Sequence, residues 1–563
     1  MMKNIKLIYI RIIILSLVFS SCEAMLEPDE DNRRSSDILL TDPTYGEGIL
    51  LNAYNALESY RFDEAATDDA VNNNTGNAFS RMALGEWAAL YNPQSRWDYA
   101  YEQLYYINKM LEIVADVEWS YKSKERNDLF LQKHTGEAYG LRAVYNFMLL
   151  QSHAGIDKDN NLKGFVILTE PLTVEDEWNL PRNSFEECID AIIQDCDEAI
   201  RLLPDEYIDT GDGEVRDAVF GKQNVNRINA NILRAFKTRV ALWAASPAFN
   251  LANSTALWQQ AADLAGDFLS DRGGLGILSA TGHVFYRNQD DPDIIWRRNW
   301  GLNNFREKQQ YPPSLFGNGI INPTQNLVDA FPMKNGYPID DTASGYDSNN
   351  PYSGRDPRLE EYIIYNGNDM NGRSINTSLN DANDGLGQNP EATITGYYLK
   401  KLLIETLDIS PNINNTASHW DTYLRYTEVF LNYAEAMNEA NGPDNSGTYG
   451  FSAREVLQAI RERGGIDQPD LYLASLDQNG FREMVRNERR IELSFEGFRF
   501  WDIRRWKYDL SKLNEPAQGI SINGSDYTIF DVEARNYKSF MIYGPIPQQE
   551  ILTTSKIIQN QGW

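Results

Sequence analysis

The sequence predicts a mostly α-helical fold in which helices packed in pairs form a scaffold for one large irregular stretch of chain. Three observations carry this. Apolar residues recur at helical spacing in successive segments. Capping and stop signals frame those segments in twos. From roughly residue 273 to 419, by contrast, Gly, Asn, Asp, Pro and aromatics replace the long apolar periods.

The chain opens as an export signal (1–21). Lys3 and Lys6 precede an apolar run from Leu7 to Phe19, broken only by Arg11 and Ser16, which is too short to span a bilayer. Small Ser20 and Ser21 stand directly before Cys22, a placement that suits cleavage and lipid attachment to the Cys22 thiol. Residues 22–36 then form an acidic tether, with Glu23 and the run Glu27-Pro28-Asp29-Glu30-Asp31. A single domain is expected over 37–563.

Helical pairs follow. The first is expected from Trp97 to Val117 and from about Asp128 to Ala154. Next, Ser184 and Glu187 make a capping box, Ile189, Ile192, Ile193, Cys196 and Ile200 keep one apolar face, and Leu203-Pro204 stops the helix. Its partner, from about Asn229 to Ala245, carries Ile232, Leu233, Phe236, Val240 and Trp243. In a further pair, Val429, Phe430, Tyr433, Ala434 and Met437 line one helix. Ser452 and Glu455 cap the other, and Gly464-Gly465 ends it. Leu141-Arg142-Ala143 and Leu233-Arg234-Ala235 recur at equivalent places. Hairpins that cannot bury their faces alone suit a tetratricopeptide-like array. Cys188 and Cys196 lie about 12 Å apart along one helix, too far for a disulfide, and read as core residues.

In the irregular stretch, Ile294-Ile295-Trp296 and Tyr362-Ile363-Ile364-Tyr365 read as short strands. Long loops in a compact protein usually carry function. The formal net charge is −29, and removing the signal, which holds cations and no acid, makes it more negative. So acidic a chain repels phosphate backbones, so nucleic acid is not an expected partner. His134, His153, His283 and His419 show no metal-ligand spacing, and neither a Gly-x-Ser-x-Gly elbow nor a phosphate-binding glycine loop occurs. No metal, cofactor or catalytic residue is expected. The run Asn380-Asp381-Ala382-Asn383-Asp384-Gly385 lacks a full calcium loop and reads as a solvated turn.

Near the C-terminus stands Asn487-Glu488-Arg489-Arg490-Ile491-Glu492-Leu493-Ser494-Phe495-Glu496-Gly497-Phe498-Arg499-Phe500-Trp501-Asp502-Ile503-Arg504-Arg505-Trp506. This resembles the signature of the SusD/RagB family of outer-membrane nutrient-binding lipoproteins. Further segments fit that family in order: Gly136-Glu137-Ala138, Ala244-Ala245-Ser246-Pro247, Pro323-Thr324-Gln325, Arg355-Asp356-Pro357-Arg358, Gly396-Tyr397-Tyr398, Arg425-Tyr426-Thr427-Glu428-Val429 and Pro545-Ile546-Pro547. The resemblance implies about four tetratricopeptide-like hairpins and an irregular half that binds ligand. It implies a lipid anchor at the cell surface and, as partner, a TonB-dependent SusC-like transporter. Members mostly bind oligosaccharides, and a branch binds peptides. Within the signature, Arg489 and Glu492 are spaced to pair along one helix, with Ile491 and Phe495 pointing into a core. Interlocked charges of this kind suit a structural clamp.

Sugar rings offer apolar faces edged by hydroxyls, so a binder displays an aromatic platform beside Asp, Asn or Arg. Two segments supply both. One runs from Asp68-Asp69 through Asn72-Asn73-Asn74, Arg81 and Trp87 to Tyr91; the other runs from Trp296 through Arg298, Trp300, Asn303, Asn304, Phe305 and Arg306 to Tyr311. The expected ligand contacts are Asp69, Arg81, Trp87, Trp300, Asn303 and Tyr311. Trp97 and Trp243, on helical faces, are expected in the core. The cluster Arg297, Arg298, Arg306 and Lys308 is expected to neutralise Asp290, Asp291 and Asp293, with selection of an anionic sugar as the alternative. Glycan capture is thus the leading expectation. Peptide capture, a surface glycoside hydrolase and a protein adaptor are the alternatives; turnover marks the hydrolase and absence of ligand binding the adaptor, while the sequence does not separate peptide from glycan.

Overall fold

The computed structural model describes residues 38–211 and 213–563; the export signal, the 22–36 tether and Cys22 lie outside the described residues. Its helical scaffold consists of α1 (Pro43–Asn55), α2 (Trp97–Ile113), α3 (Lys124–His153), α4 (Phe185–Leu202), α5 (Ala230–Ala245) and α6 (Thr255–Ser270). After the irregular stretch come α7 (Tyr426–Asn441), α8 (Ala453–Arg463), α9 (Gln478–Glu492) and α10 (Arg499–Arg505). α2 packs on α3, α3 on α4, α4 on α5, α5 on α6, α6 on α7, and α7 on both α8 and α9.

The caps act where the sequence places them. Ser184 and Glu187, and Ser452 and Glu455, each close a reciprocal capping box. α3 begins earlier than its apolar period suggests, because Ser123 Oγ accepts from the Arg126 amide and so starts the helix. Gly136 explains why α3 can meet its partners so closely. A Cβ there would lie 2.7 Å from Leu203 Cγ, and one on Gly140 would lie 2.6 Å from Ile228 Cγ2. Trp97, Trp243, Cys188 and Cys196 are buried in the main core, and both cysteines are free thiols. α6 has no counterpart among the expected helices, although Trp258, Ala261, Ala262, Ala265 and Leu269 bury one side of it.

Between residues 273 and 419 no described helix exceeds six residues. The main regular feature there is an antiparallel ribbon of β1 (Ile294–Asn303) and β2 (Ala417–Arg425). β1 runs well past the expected Ile294–Trp296 and takes in Trp300. Trp296 is the ribbon's core anchor: it is buried, and its ring lies 4.8 Å from that of Tyr423. The Asn380–Gly385 run is a turn, with Asp381 Oδ1 accepting from the Asn383 and Asp384 amides.

The signature helices α9 and α10 lock the two halves together through buried ion pairs. Glu492 is fully buried among Arg358, Arg425 and Arg463. Arg358 also pairs with Glu488, and bonds Asp356 at 2.7 Å. Arg489 does not reach Glu492; it bonds Asp502 at 3.1 Å and Asn432 Oδ1 at 2.8 Å, because the three cations around Glu492 come from other elements. Ile491 and Phe495 are in the core as expected. Arg505 bridges Asp502, Glu435 and the Ser246 hydroxyl. Isolated charges could not be buried at this depth, but pairing and hydrogen bonding offset the desolvation.

Candidate ligand-binding cleft

Where β1 leaves the ribbon, a cleft of about 540 Å³ opens beside the Ser59–Phe62 segment. Trp300, Phe305, Asn303, Tyr60, Arg306 and Asp421 line it, with Ser59 and Gln309 completing the rim. Trp300 reaches the cleft because the ribbon bulges at that residue. His419 pairs with Gly301 and Trp420 with Asn299, leaving Trp300 as the extra residue on its strand. Gly301 follows at φ +68°, a conformation that costs glycine little.

The displaced ring is fixed in place. Its Nε1–H donates to Asp421 Oδ2 at 2.7 Å, and Arg306 Nη2 donates to Asp421 Oδ1 at 2.8 Å. The Arg298 guanidinium lies 4.3 Å from the centre of the Trp300 ring, within cation–π range. Arg298 Nη1 in turn donates to the Leu57 carbonyl at 2.6 Å. Trp300 is nevertheless 42% exposed and Phe305 68% exposed. Tyr60 donates to the Thr422 carbonyl and accepts from its amide. Burial, then the charges of Glu496 and Asp421, push its hydroxyl far above the ordinary tyrosine range, so it stays protonated. His419 bonds the buried Glu307 at 2.9 Å in the cleft wall. Phe62 beside it sits at φ +52°, a strained backbone for a phenylalanine of the kind that clusters at binding sites.

Of the expected ligand contacts, the structure brings Trp300 and Asn303 together in this cleft. Asn303 Oδ1 accepts from the Phe305 amide and so ties down the backbone that carries the exposed phenyl ring. Three others are corrected by burial. Trp87 is 4% exposed, packed 4.9 Å from Trp563 and 5.8 Å from Phe500, with its indole donating to Asn92. Asp69 has no exposed surface and accepts from Arg490 Nε at 2.6 Å. Tyr311 is fully buried, its hydroxyl donating to the Ile404 carbonyl. All three serve the core. Arg81 is exposed but pairs with Glu86 and stacks on Tyr91, away from the cleft. Sequence reasoning missed Tyr60 and Asp421, which come from elsewhere in the chain, and it named Phe305 in the segment without counting it among the contacts. The expected neutralisation of Arg297 is present in its 3.1 Å pair with Asp290, but Arg306 serves Asp421 instead.

The cleft therefore offers two exposed rings at adjoining positions, edged by amide, guanidinium and carboxylate groups. Among the described residues, no group of three or more His, Cys, Asp or Glu side chains could hold a metal ion, and no helix is long and apolar enough to cross a membrane.

Comparison with known proteins places the chain in a family. Residues 281–563 match the model described as the SusD family, and residues 26–213 match one described as starch-binding associating with outer membrane. SusD-like protein P38 of Formosa agariphila is 23% identical over 529 residues, 89% of this chain and 91% of that protein. Among solved structures, a SusD-like carbohydrate-binding protein of Bacteroides fragilis superposes with a TM-score of 0.71 at 21% identity, over 91% of this chain and 98% of that one. A laminarin-binding SusD-like protein gives 0.60 at 20% identity, over 92% and 99%. Surface glycan-binding protein A of Bacteroides fluxus gives 0.59 at 18% identity, over 93% and 100%. With its helical scaffold, irregular half and signature helices all accounted for, the chain belongs to the SusD family.

Proposed function

We propose that this protein captures oligosaccharide in the Trp300 cleft. It holds the sugar at the outer face of the outer membrane by a lipid on Cys22 and passes it to a TonB-dependent, SusC-like transporter. The observation that carries the reading is the Trp300 ring, exposed yet fixed by Asp421 and Arg298. A pre-positioned aromatic face loses little freedom when a sugar ring stacks on it. Phe305 gives a second apolar face, while Asn303, Arg306 and Gln309 offer hydrogen-bonding groups to the ring hydroxyls. The laminarin-binding and surface glycan-binding proteins among its structural neighbours support a carbohydrate ligand, and the starch-binding, outer-membrane description of the matching family supports the location.

Binding without bond cleavage is the chemistry this reading assigns, and it gives no residue a catalytic role. The test is affinity electrophoresis and calorimetry of the domain beginning after Cys22 against neutral and acidic polysaccharides and a peptide mixture, with product analysis of every sample. Retention by one glycan class, weakened by Trp300→Ala and without released oligosaccharide, supports capture. Binding of peptides alone, or release of sugars that stops on changing one carboxylate, overturns it. Co-purification from outer membranes with a TonB-dependent barrel tests the partner.

A further inference from the structure

A second groove, of about 390 Å³, lies along α2 and shares no lining residue with the Trp300 cleft. Trp97, Tyr101 and Tyr105 fall at i, i+4 and i+8 on α2 and form one aromatic stripe along its floor. The opposite wall is the 166–180 segment with Leu168, Leu172, Trp178 and Leu180. Exposed apolar side chains lie on these elements: Tyr105 at 47%, Trp178 at 57% and, within the 166–180 segment, Val174 at 95%. Exposed apolar surface of this kind marks interaction sites.

The groove is built rather than loose. Tyr101 OH donates to the Val166 carbonyl and accepts from its amide, both at 2.9 Å. Trp178 Nε1 donates to the Thr173 carbonyl at 2.8 Å, and Asp176 closes that turn by accepting from the Thr173 amide and hydroxyl. Asn179 ties the wall to the C-terminal segment, donating to Ser555 Oγ and accepting from the Ser555 and Lys556 amides.

Its charge selects the occupant. Asp98, Glu102, Glu170 and Glu550 line the groove, and no lysine or arginine does; Lys556 pairs with Glu177 at 3.9 Å instead. The amide of Asn108 is already donated to the Leu168 and Glu170 carbonyls. Burial, and to a lesser degree the charge of Asp98, raises the Glu550 carboxyl above its ordinary value. Acceptor-rich edges over aromatic faces suit a ligand rich in donors, since lysine and arginine stack on rings and pair with carboxylates. A second copy of this chain, at net charge −29, is a poor match. We infer that the α2 groove docks a basic, aliphatic-rich peptide segment of another protein, independently of what the Trp300 cleft binds.

The test is calorimetry of the domain beginning after Cys22 with acetyl-LKLLKL-amide, its acidic counterpart acetyl-LELLEL-amide, and maltoheptaose. The expected result is saturable binding of the basic peptide alone, weakened by added salt. It should fall at least tenfold in Trp178→Ala and in the double variant Asp98→Asn, Glu102→Gln. Asp98 and Glu102 are exposed, so the double variant decides the matter should Trp178→Ala fail to fold. Failure of the basic peptide to bind, equal binding of both peptides, or binding unchanged in the double variant overturns the inference. Maltoheptaose binding lost on Trp178→Ala would reassign the groove to sugar.

Discussion

The indole of Trp300 donates to Asp421 at 2.7 Å, so a ring that is 42% exposed is steered by a carboxylate that is 1% exposed. Removing the ring and removing its anchor should therefore differ. Trp300→Ala is expected to weaken glycan binding tenfold or more, about 1.4 kcal/mol. Unfolding should move by about 1 kcal/mol, because Asp421 Oδ2 loses its indole donor. Asp421→Asn should weaken binding and lower stability by more, because it also strips Arg306 of its charge partner. Calorimetry beside urea unfolding separates the two; equal binding in wild type and Trp300→Ala would remove the ring from the site.

Trp87 provides the opposite control. Packed against Phe500 and Trp563, it should cost about 3–5 kcal/mol on truncation to alanine. The fraction that stays folded should bind ligand as wild type does. Urea titration followed by binding at low denaturant reads both quantities.

Glu492→Gln should destabilise by about 3–5 kcal/mol, since it leaves Arg358, Arg425 and Arg463 buried around a neutral amide. A lowered urea midpoint with an unchanged slope is the expected signature. A midpoint equal to wild type would show that the clamp contributes nothing to stability.

Two sets of carboxyls set opposite pH responses. Burial opposes ionisation of Glu492, yet Arg463, Arg425 and Arg358 hold its carboxyl below the ordinary range, and Arg227 does the same for the buried Glu137. Their contribution is present above the unfolded-state value and is lost on acidification. Glu64 behaves oppositely. Burial, then the charge of Asp63, pushes it up to about 8, so the native state holds a proton the unfolded chain has released. Its effect is a loss of stability as pH rises from about 4.5 toward 8. The melting temperature of Glu64→Gln should therefore fall less than that of wild type between pH 5 and 8, and equal slopes would refute this assignment.

Much of the scaffold was legible because helix formation is local. Ser184, Ser452 and Asn229 start helices with their own side chains, and the core faces repeat at the helical period. The site was only half legible, since exposure depends on what arrives from far along the chain. Trp87 and Trp300 stand in similar company of Asn, Arg and Gly. What separates them is Trp563, which covers the first, and a strand register that expels the second. Asp421 and Tyr60 reach the cleft from segments whose pairing no local pattern specifies. Arg489 and Glu492 are correctly spaced for each other along α9, but stronger partners on other elements claim both.

The clamp that α9 and α10 make with the start of the fold sets an order on folding. Arg490 and Asp69 are 421 residues apart, and Arg499 and Asp68 are 431 apart. Until the signature helices join, Asp68 and Asp69 have no cations to meet, and Glu435 waits for Arg505 in the same way. Closing contacts of such long range is intrinsically slow. The early helical pairs can form on their own, but the exported chain cannot seal itself until residues 490–505 have joined them.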